Sequence, residues 1–368
     1  MTKEQQACGT WNSLITAEMV AGSSVRYASV ELDGDDVYWL EGRPDEQGRT
    51  VIVRRRQDRI EDVLPPPWNA RSRVHEYGGG AFAVHDGRVW FVNDADQQVY
   101  EVADGQITQL TDEAQCRYAD LQFNPRHQCL YAVREDYACA ADAEPVSELV
   151  RISGGVVTVM ASGDDFYAAP AVSPDGDWLA WLSWNHPDMP WDRTILWLTK
   201  LGDHGEALAP VKLIDAAGQS VFQPAWSADG KLYFVNDPTG WWQLYRFDDC
   251  ENPQSPLQVC DYEAEMGLPL WQFGMQTYTF QDPDRVIATL CEHGVWRLVR
   301  ICTNTGEVEP VTTPYNSVSA LAADNNRVVL IAAGSRCMDE VSSIDLQSGE
   351  RSSCTAEQAL PVPCLLYT

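Results

Sequence analysis

The sequence predicts an all-β chain, a seven-bladed β-propeller of four-stranded antiparallel blades preceded by a short N-terminal helix or extension. Three observations predict it. A unit made of an Asp-Gly type turn, a strand of aromatic and β-branched residues, a second turn and a further strand recurs along the whole chain, with a period of about fifty residues. The turn chemistry itself repeats, most closely in Ser173-Pro174-Asp175-Gly176 and Ser227-Ala228-Asp229-Gly230. No helical periodicity interrupts the series, except that Leu14, Ile15, Met19 and Val20 place a short helix over residues 11–20.

The units follow in order. The first turns at Leu32-Asp33-Gly34 and continues in Val37-Tyr38-Trp39-Leu40 and Thr50-Val51-Ile52-Val53. The second turns at His85-Asp86-Gly87 before Val89-Trp90-Phe91-Val92, and the third at Phe123-Asn124-Pro125 before Cys129-Leu130-Tyr131-Ala132-Val133. Trp178-Leu179-Ala180-Trp181-Leu182 and Leu232-Tyr233-Phe234-Val235 follow the fourth and fifth turns. The sixth and seventh are less regular, with Asp282-Pro283-Asp284 before Val286-Ile287-Ala288 and Asp324-Asn325-Asn326 before Val328-Val329-Leu330. Each unit is a small antiparallel sheet that cannot bury both faces alone, and packing such sheets around an axis solves that problem. A β-sandwich is the competitor, but it would not repeat one turn chemistry at this period. The expected organisation is an extension over 1–25, the propeller over 26–353, and an apolar tail over 354–368.

Composition limits the function. The chain of 368 residues carries 26 Lys+Arg against 54 Asp+Glu, a formal charge of -28, which repels phosphate backbones and anionic lipid and excludes nucleic acid and membrane as expected partners. The first ten residues lack the order of a secretory signal and no apolar run is long enough to span a bilayer, so a cytoplasmic location is expected. Eleven cysteines without Cys-x-x-Cys spacing read as reduced thiols, and six scattered histidines give no zinc pattern, so neither a metal nor another cofactor is expected.

The links entering the blades reach the innermost strands, so any site falls on one face around the axis. Arg73-Val74-His75-Glu76-Tyr77-Gly78-Gly79-Gly80 is the most unusual of these links: three glycines permit close backbone approach or positive φ directly after a dense set of ionisable groups. Arg73, His75, Glu76 and Tyr77 are therefore candidates to face a ligand or a docked domain, with inter-blade packing and a satisfied Arg-Glu pair as the alternative. Glu263 and Glu265, beside Met266, Leu268 and Trp271, are candidates to receive a substrate ammonium group; a solvated acidic loop explains them equally well. No Gly-x-Ser-x-Gly elbow occurs, so no catalytic residue of a serine hydrolase is recognisable. A metal-dependent lactonase would need ligands from several blades converging on an axial cation, and no distinctive ligand set is present.

The run Asp36-Val37-Tyr38-Trp39-Leu40-Glu41-Gly42-Arg43-Pro44, followed by Gly48-Arg49-Thr50-Val51, resembles the first blade of prolyl oligopeptidase family serine peptidases, in the acylaminoacyl-peptidase and dipeptidyl-aminopeptidase-like branch. Residues 71–80, the turn at 173–176 and residues 263–274 resemble the same branch, and the likeness extends from about Gly9 to the end. The resemblance implies a propeller that gates and selects short peptide substrates for an α/β-hydrolase domain, which normally follows it. The tail from Leu360 to Tyr367 reads as the approach to such a domain, one this sequence does not contain, since it needs ~100 residues or more. Relatives of the dipeptidyl-peptidase type hold the substrate amino terminus with two adjacent glutamates, whereas Glu263 and Glu265 are separated by Ala264. A stand-alone propeller that binds a protein or peptide is the alternative function.

Overall fold

The computed structural model describes residues 7, 9–10, 16–17, 24–138, 144–335 and 337–355; the expected N-terminal helix, save residues 16 and 17, and the tail beyond 355 lie outside them. The described residues form seven four-stranded sheets, each built from four strands consecutive in sequence. In the first blade these are Arg26–Asp33, Asp36–Arg43, Arg49–Arg56 and Arg59–Asp62, paired antiparallel in that order. The first strands of the other blades are Phe82–His85, Cys116–Asn124, Phe166–Val172, Val221–Trp226, Tyr278–Asp282 and Ser317–Ala323. First strands of neighbouring blades meet around the axis, and the first strand of blade 1 meets that of blade 7, closing the ring. The fold is thus the seven-bladed propeller that the repeat predicts.

The core lies between the blades. Successive side chains of a strand point to opposite faces, so a middle strand sandwiched between two neighbours must be apolar at every position. Val37 and Trp39 pack towards blade 7 against Val329, Ile331 and Val341, while Tyr38 and Leu40 pack towards blade 2 against Phe82, Val89 and Phe91. In blade 4, Leu179 and Trp181 face blade 3 while Ala180 and Leu182 face blade 5. This explains the unbroken apolar runs. Trp39, Trp90 and Trp181 are each at most 1% exposed.

The repeated turns latch one blade to the next at the end opposite the links. Asp33 accepts hydrogen bonds from the backbone N–H groups of Asp86 (3.0 Å) and Gly87 (2.6 Å), joining the turns of blades 1 and 2. Asn124 donates to the Gly176 carbonyl at 3.0 Å, and Arg327 of blade 7 donates to the Asp35 carbonyl at 3.0 Å. Among the described residues no strand is shared across the closure. It rests on the packed cluster of blades 1 and 7 and on contacts such as Arg55 Nη1 donating to the Ser353 carbonyl at 3.2 Å.

Near the axis the first strands are irregular. Ser29, Asp120, Ala169 and Gln223 within first strands, and Gly80 just before the first strand of blade 2, have φ between 46° and 56° and line an axial tunnel of about 260 Å³. Such bulges re-aim side chains along the chain, and here they tie blades together. Asp120 Oδ2 accepts from the Ala169 N–H (2.6 Å), while Gln223 accepts from the Thr277 N–H and donates to the Tyr278 carbonyl, both at 2.7 Å.

Glu31 also lines the tunnel, and burial pushes its carboxyl up to about 7; burial raises Asp120 to about 6, opposed by the Ala169 N–H. The fold therefore disfavours the ionised form of Glu31. Stability contributed by this group falls as pH rises from 4.5 to about 7 and stays low above it. Glu31→Gln is expected to raise the thermal unfolding midpoint at pH 8 and to lose that advantage by pH 4.5; an equal gain at both values would contradict the assignment.

All eight described cysteines are free thiols. Among the described residues no helix is long and apolar enough to cross a membrane, and no group of three or more His, Cys, Asp or Glu is placed to hold a metal ion.

Candidate functional site

A cavity of about 580 Å³ opens on the link face, off the axis and over blades 3 and 4. One wall is the link from blade 1 to blade 2. There the chain takes left-handed φ at His75 (52°) and Glu76 (63°), then again at Gly78, Gly79 and Gly80. A Cβ on any of the three glycines would lie 2.7 Å or less from backbone of Ser72, Phe273 or Asp120, which is why the sequence is glycine three times over.

Three aromatic side chains surround the His75 imidazole, with ring centroids 4.7 Å from Phe273, 5.2 Å from Phe166 and 5.6 Å from Trp184. Burial lowers its pKa to about 4, so the ring is neutral at physiological pH. Its backbone N–H donates to Glu135 Oε1 (2.9 Å), and Tyr137 Oη donates to Glu135 Oε2 (3.0 Å). Glu135 is 5% exposed, and burial raises its pKa despite those two bonds.

Phe166 stacks on Trp184 at 5.2 Å with 15° between planes, and His186 leans on Phe166 at 4.9 Å. Opposite them Trp271 sits 4.5 Å from Trp191 and 5.7 Å from Tyr77. Two aromatic groups thus flank one space. Around it stand the carboxylates of Glu76, Glu144, Asp164, Asp165 and Asp188, and no Lys or Arg is among the described lining residues. Asp164 accepts from Ser183 Oγ (2.6 Å) and Asn185 Nδ2 (2.8 Å), and hydrogen bonds from His186 hold Asp165 below the usual carboxylate range. Aromatic faces and carboxylates both favour a cation, and the apolar surface suits an uncharged body attached to it.

The structure divides the residues singled out in the sequence. His75, Glu76, Tyr77 and Trp271 line this cavity; Arg73, Glu263 and Glu265 are outside its lining. Arg73 points away and pairs with Asp94 at 2.9 Å. The Arg-Glu pair of this link is instead Glu76 with Arg117, at 3.2 Å. Glu265 Oε2 accepts the Trp242 N–H at 3.0 Å, and Glu263 is exposed. The residues that the sequence reading passed over are Glu135, Tyr137, Trp184, His186 and Trp191. A signal for the last three existed in Trp184-Asn185-His186-Pro187-Asp188-Met189-Pro190-Trp191, an unusually long, aromatic and proline-rich hairpin connection.

Fold and cavity together define a class: a β-propeller with a substrate-sized, acidic and aromatic cavity on the face where its links converge. Comparison with solved structures narrows this. A puromycin-hydrolyzing peptidase of Mycobacterium tuberculosis is 31% identical, with a TM-score of 0.85 over 96% of this chain and 56% of its own. A puromycin hydrolase is 30% identical, with a TM-score of 0.88 over 96% of this chain and 57% of its own. The chain thus spans little more than half the length of these structures. A prolyl endopeptidase, 13% identical with a TM-score of 0.67 over 89% of this chain, shares the fold. No family model matches the chain, and no curated protein does. The chain belongs with the β-propeller domains of prolyl oligopeptidase family peptidases.

Proposed function

We propose that this propeller is the gating and substrate-selecting part of a prolyl oligopeptidase-type serine peptidase that acts on short peptides, with the bond chemistry performed by an α/β-hydrolase domain outside this sequence. The single observation that carries the reading is the link-face cavity, in which carboxylates ring an aromatic interior without a described Lys or Arg. A free peptide amino terminus supplies the cation, and the first side chains supply the apolar body. Seating them orients a peptide and rejects bulky competitors, which is positioning and selection without a covalent step.

The test is turnover of aminoacyl and acyl-aminoacyl reporter peptides by the purified chain, alone and mixed with the hydrolase domain of the Mycobacterium tuberculosis relative. No turnover is expected from the chain alone, and a shift in the reporter preference of the hydrolase is expected in the mixture. Hydrolysis by the chain alone, or a preference that the propeller leaves unchanged, would refute the reading. A second reading, a stand-alone module that binds a protein or peptide, is favoured by the exposure of Tyr77 (61%) and Trp271 (49%) on the same face. Recovery of partners unrelated to hydrolases on the immobilised chain, lost on replacing both rings, would favour it.

A further inference from the structure

Two links that belong to distant blades meet across the axis. The link into blade 2 carries Tyr77, Gly78 and Gly79, and the link into blade 6 carries Trp271 and Phe273. The two segments lie side by side as a short parallel bridge between Gly79 and Phe273. The Phe273 N–H donates to the Gly78 carbonyl at 2.9 Å, Gln272 Nε2 donates to the Tyr77 carbonyl at 3.4 Å, and the Tyr77 and Trp271 rings meet edge to face. Backbone approaches backbone so closely that no side chain fits between the links.

This clasp has a cavity on either side of it. Below lies the axial tunnel, lined by first strands of blades 1 to 5 and by Gly80, Gly274 and Met275 next to the clasp. Above lies the aromatic cavity, walled by His75, Tyr77 and Trp271. Leu270 is the one described residue that lines both. A tunnel through a propeller is a passage only if its ends are open, and here the Phe273 to Gly78 hydrogen bond and buried Phe273, 5% exposed, lie between Gly80 and Gly274, which line the tunnel, and Tyr77 and Trp271, which line the cavity.

We infer that the clasp is a permanent plug, so that the axial tunnel is a blind pocket and the aromatic cavity is filled from the outer rim of the link face. The plug stands on the backbone contacts alone; the rim route rests in addition on the reading of the cavity as a peptide site. Selection by size is then set at the rim, near Val146 and Met189, which line the cavity at 50% and 41% exposure. The tunnel diameter has no part in it.

Native-state hydrogen exchange of the full chain tests the plug without any ligand. The N–H groups of Phe273 and Leu121 donate to the carbonyls of Gly78 and Gly80, and both are expected to be slowed at least about a thousandfold, like amides of the inner strands. Exchange of Phe273 at the rate of an open loop would overturn the inference. The route is tested by the association rate of phenylalanyl-glycyl-glycine, followed by tryptophan fluorescence. Pro174→Trp places a large ring at the far mouth of the tunnel, at an exposed turn, and is expected to leave the rate within about twofold, whereas Val146→Trp at the rim is expected to slow it about fivefold or more. A tenfold loss in Pro174→Trp with no loss in Val146→Trp would overturn the rim route. Failure of the tripeptide to bind would sink the peptide-site reading and the rim route with it, while the exchange rates would still decide the plug.

Discussion

Gly79→Ala is expected to destabilise the chain by about 3 kcal/mol or more, from a left-handed residue that gains a side chain and from forced overlap. Gly79 has φ +96°, and an added Cβ would lie 2.2 Å from the Phe273 carbonyl oxygen and 2.7 Å from its nitrogen. Both atoms are backbone, so neither can swing aside as the end of a long side chain would. The two links would have to separate, breaking the Phe273 to Gly78 hydrogen bond and uncovering the Phe273 ring beside His75. Gly218→Ala is the control, because Gly218 also has a positive φ, +70°, but nothing within 4 Å of its added Cβ. It isolates the conformational cost, about 1 kcal/mol. Denaturant unfolding of the two variants measures the difference; equal losses would mean that the links close over each other without mutual dependence.

Gly79 also shows what was legible in the sequence. A run of three glycines directly after His75, Glu76 and Tyr77 signals close backbone approach, and that signal is local. The blades were legible for a similar reason, since each hairpin needs its own turn residues and each middle strand is apolar on both faces. What the links would touch was not legible. Glu135, Trp184 and Trp191 come from strand ends and a hairpin connection in blades 3 and 4, and only closure of the ring brings them beside His75 and Trp271. Arg73 lies outside the cavity although only Val74 separates it from His75: the buried Val74 anchors the link while Arg73 turns out to Asp94 and His75 turns in. Glu263 and Glu265 have the composition of an ammonium site, yet Glu265 spends its carboxylate on the Trp242 backbone, a bond between residues 23 apart in sequence that a residue pattern does not reveal.

Replacement of the rings that flank the cavity separates binding from stability. Tyr77→Ala and Trp271→Ala are each expected to weaken phenylalanyl-glycyl-glycine about tenfold, the scale of losing one aromatic anchor. Both rings are more than two-fifths exposed, so unfolding free energy should change by about 1 kcal/mol or less in either variant. The rings touch at 5.7 Å, so the double variant should lose less than the product of the two single effects. Arg73→Ala should leave affinity within about twofold, because its guanidinium lies outside the cavity on Asp94 and an exposed pair of that kind carries little energy. Titration of the four variants by calorimetry, alongside their denaturant curves, gives both quantities. Loss of stability with affinity intact would make Tyr77 and Trp271 pins of the clasp and nothing more. Loss of affinity with stability intact would make them the aromatic wall against which a peptide is held while its amino terminus lies among the carboxylates.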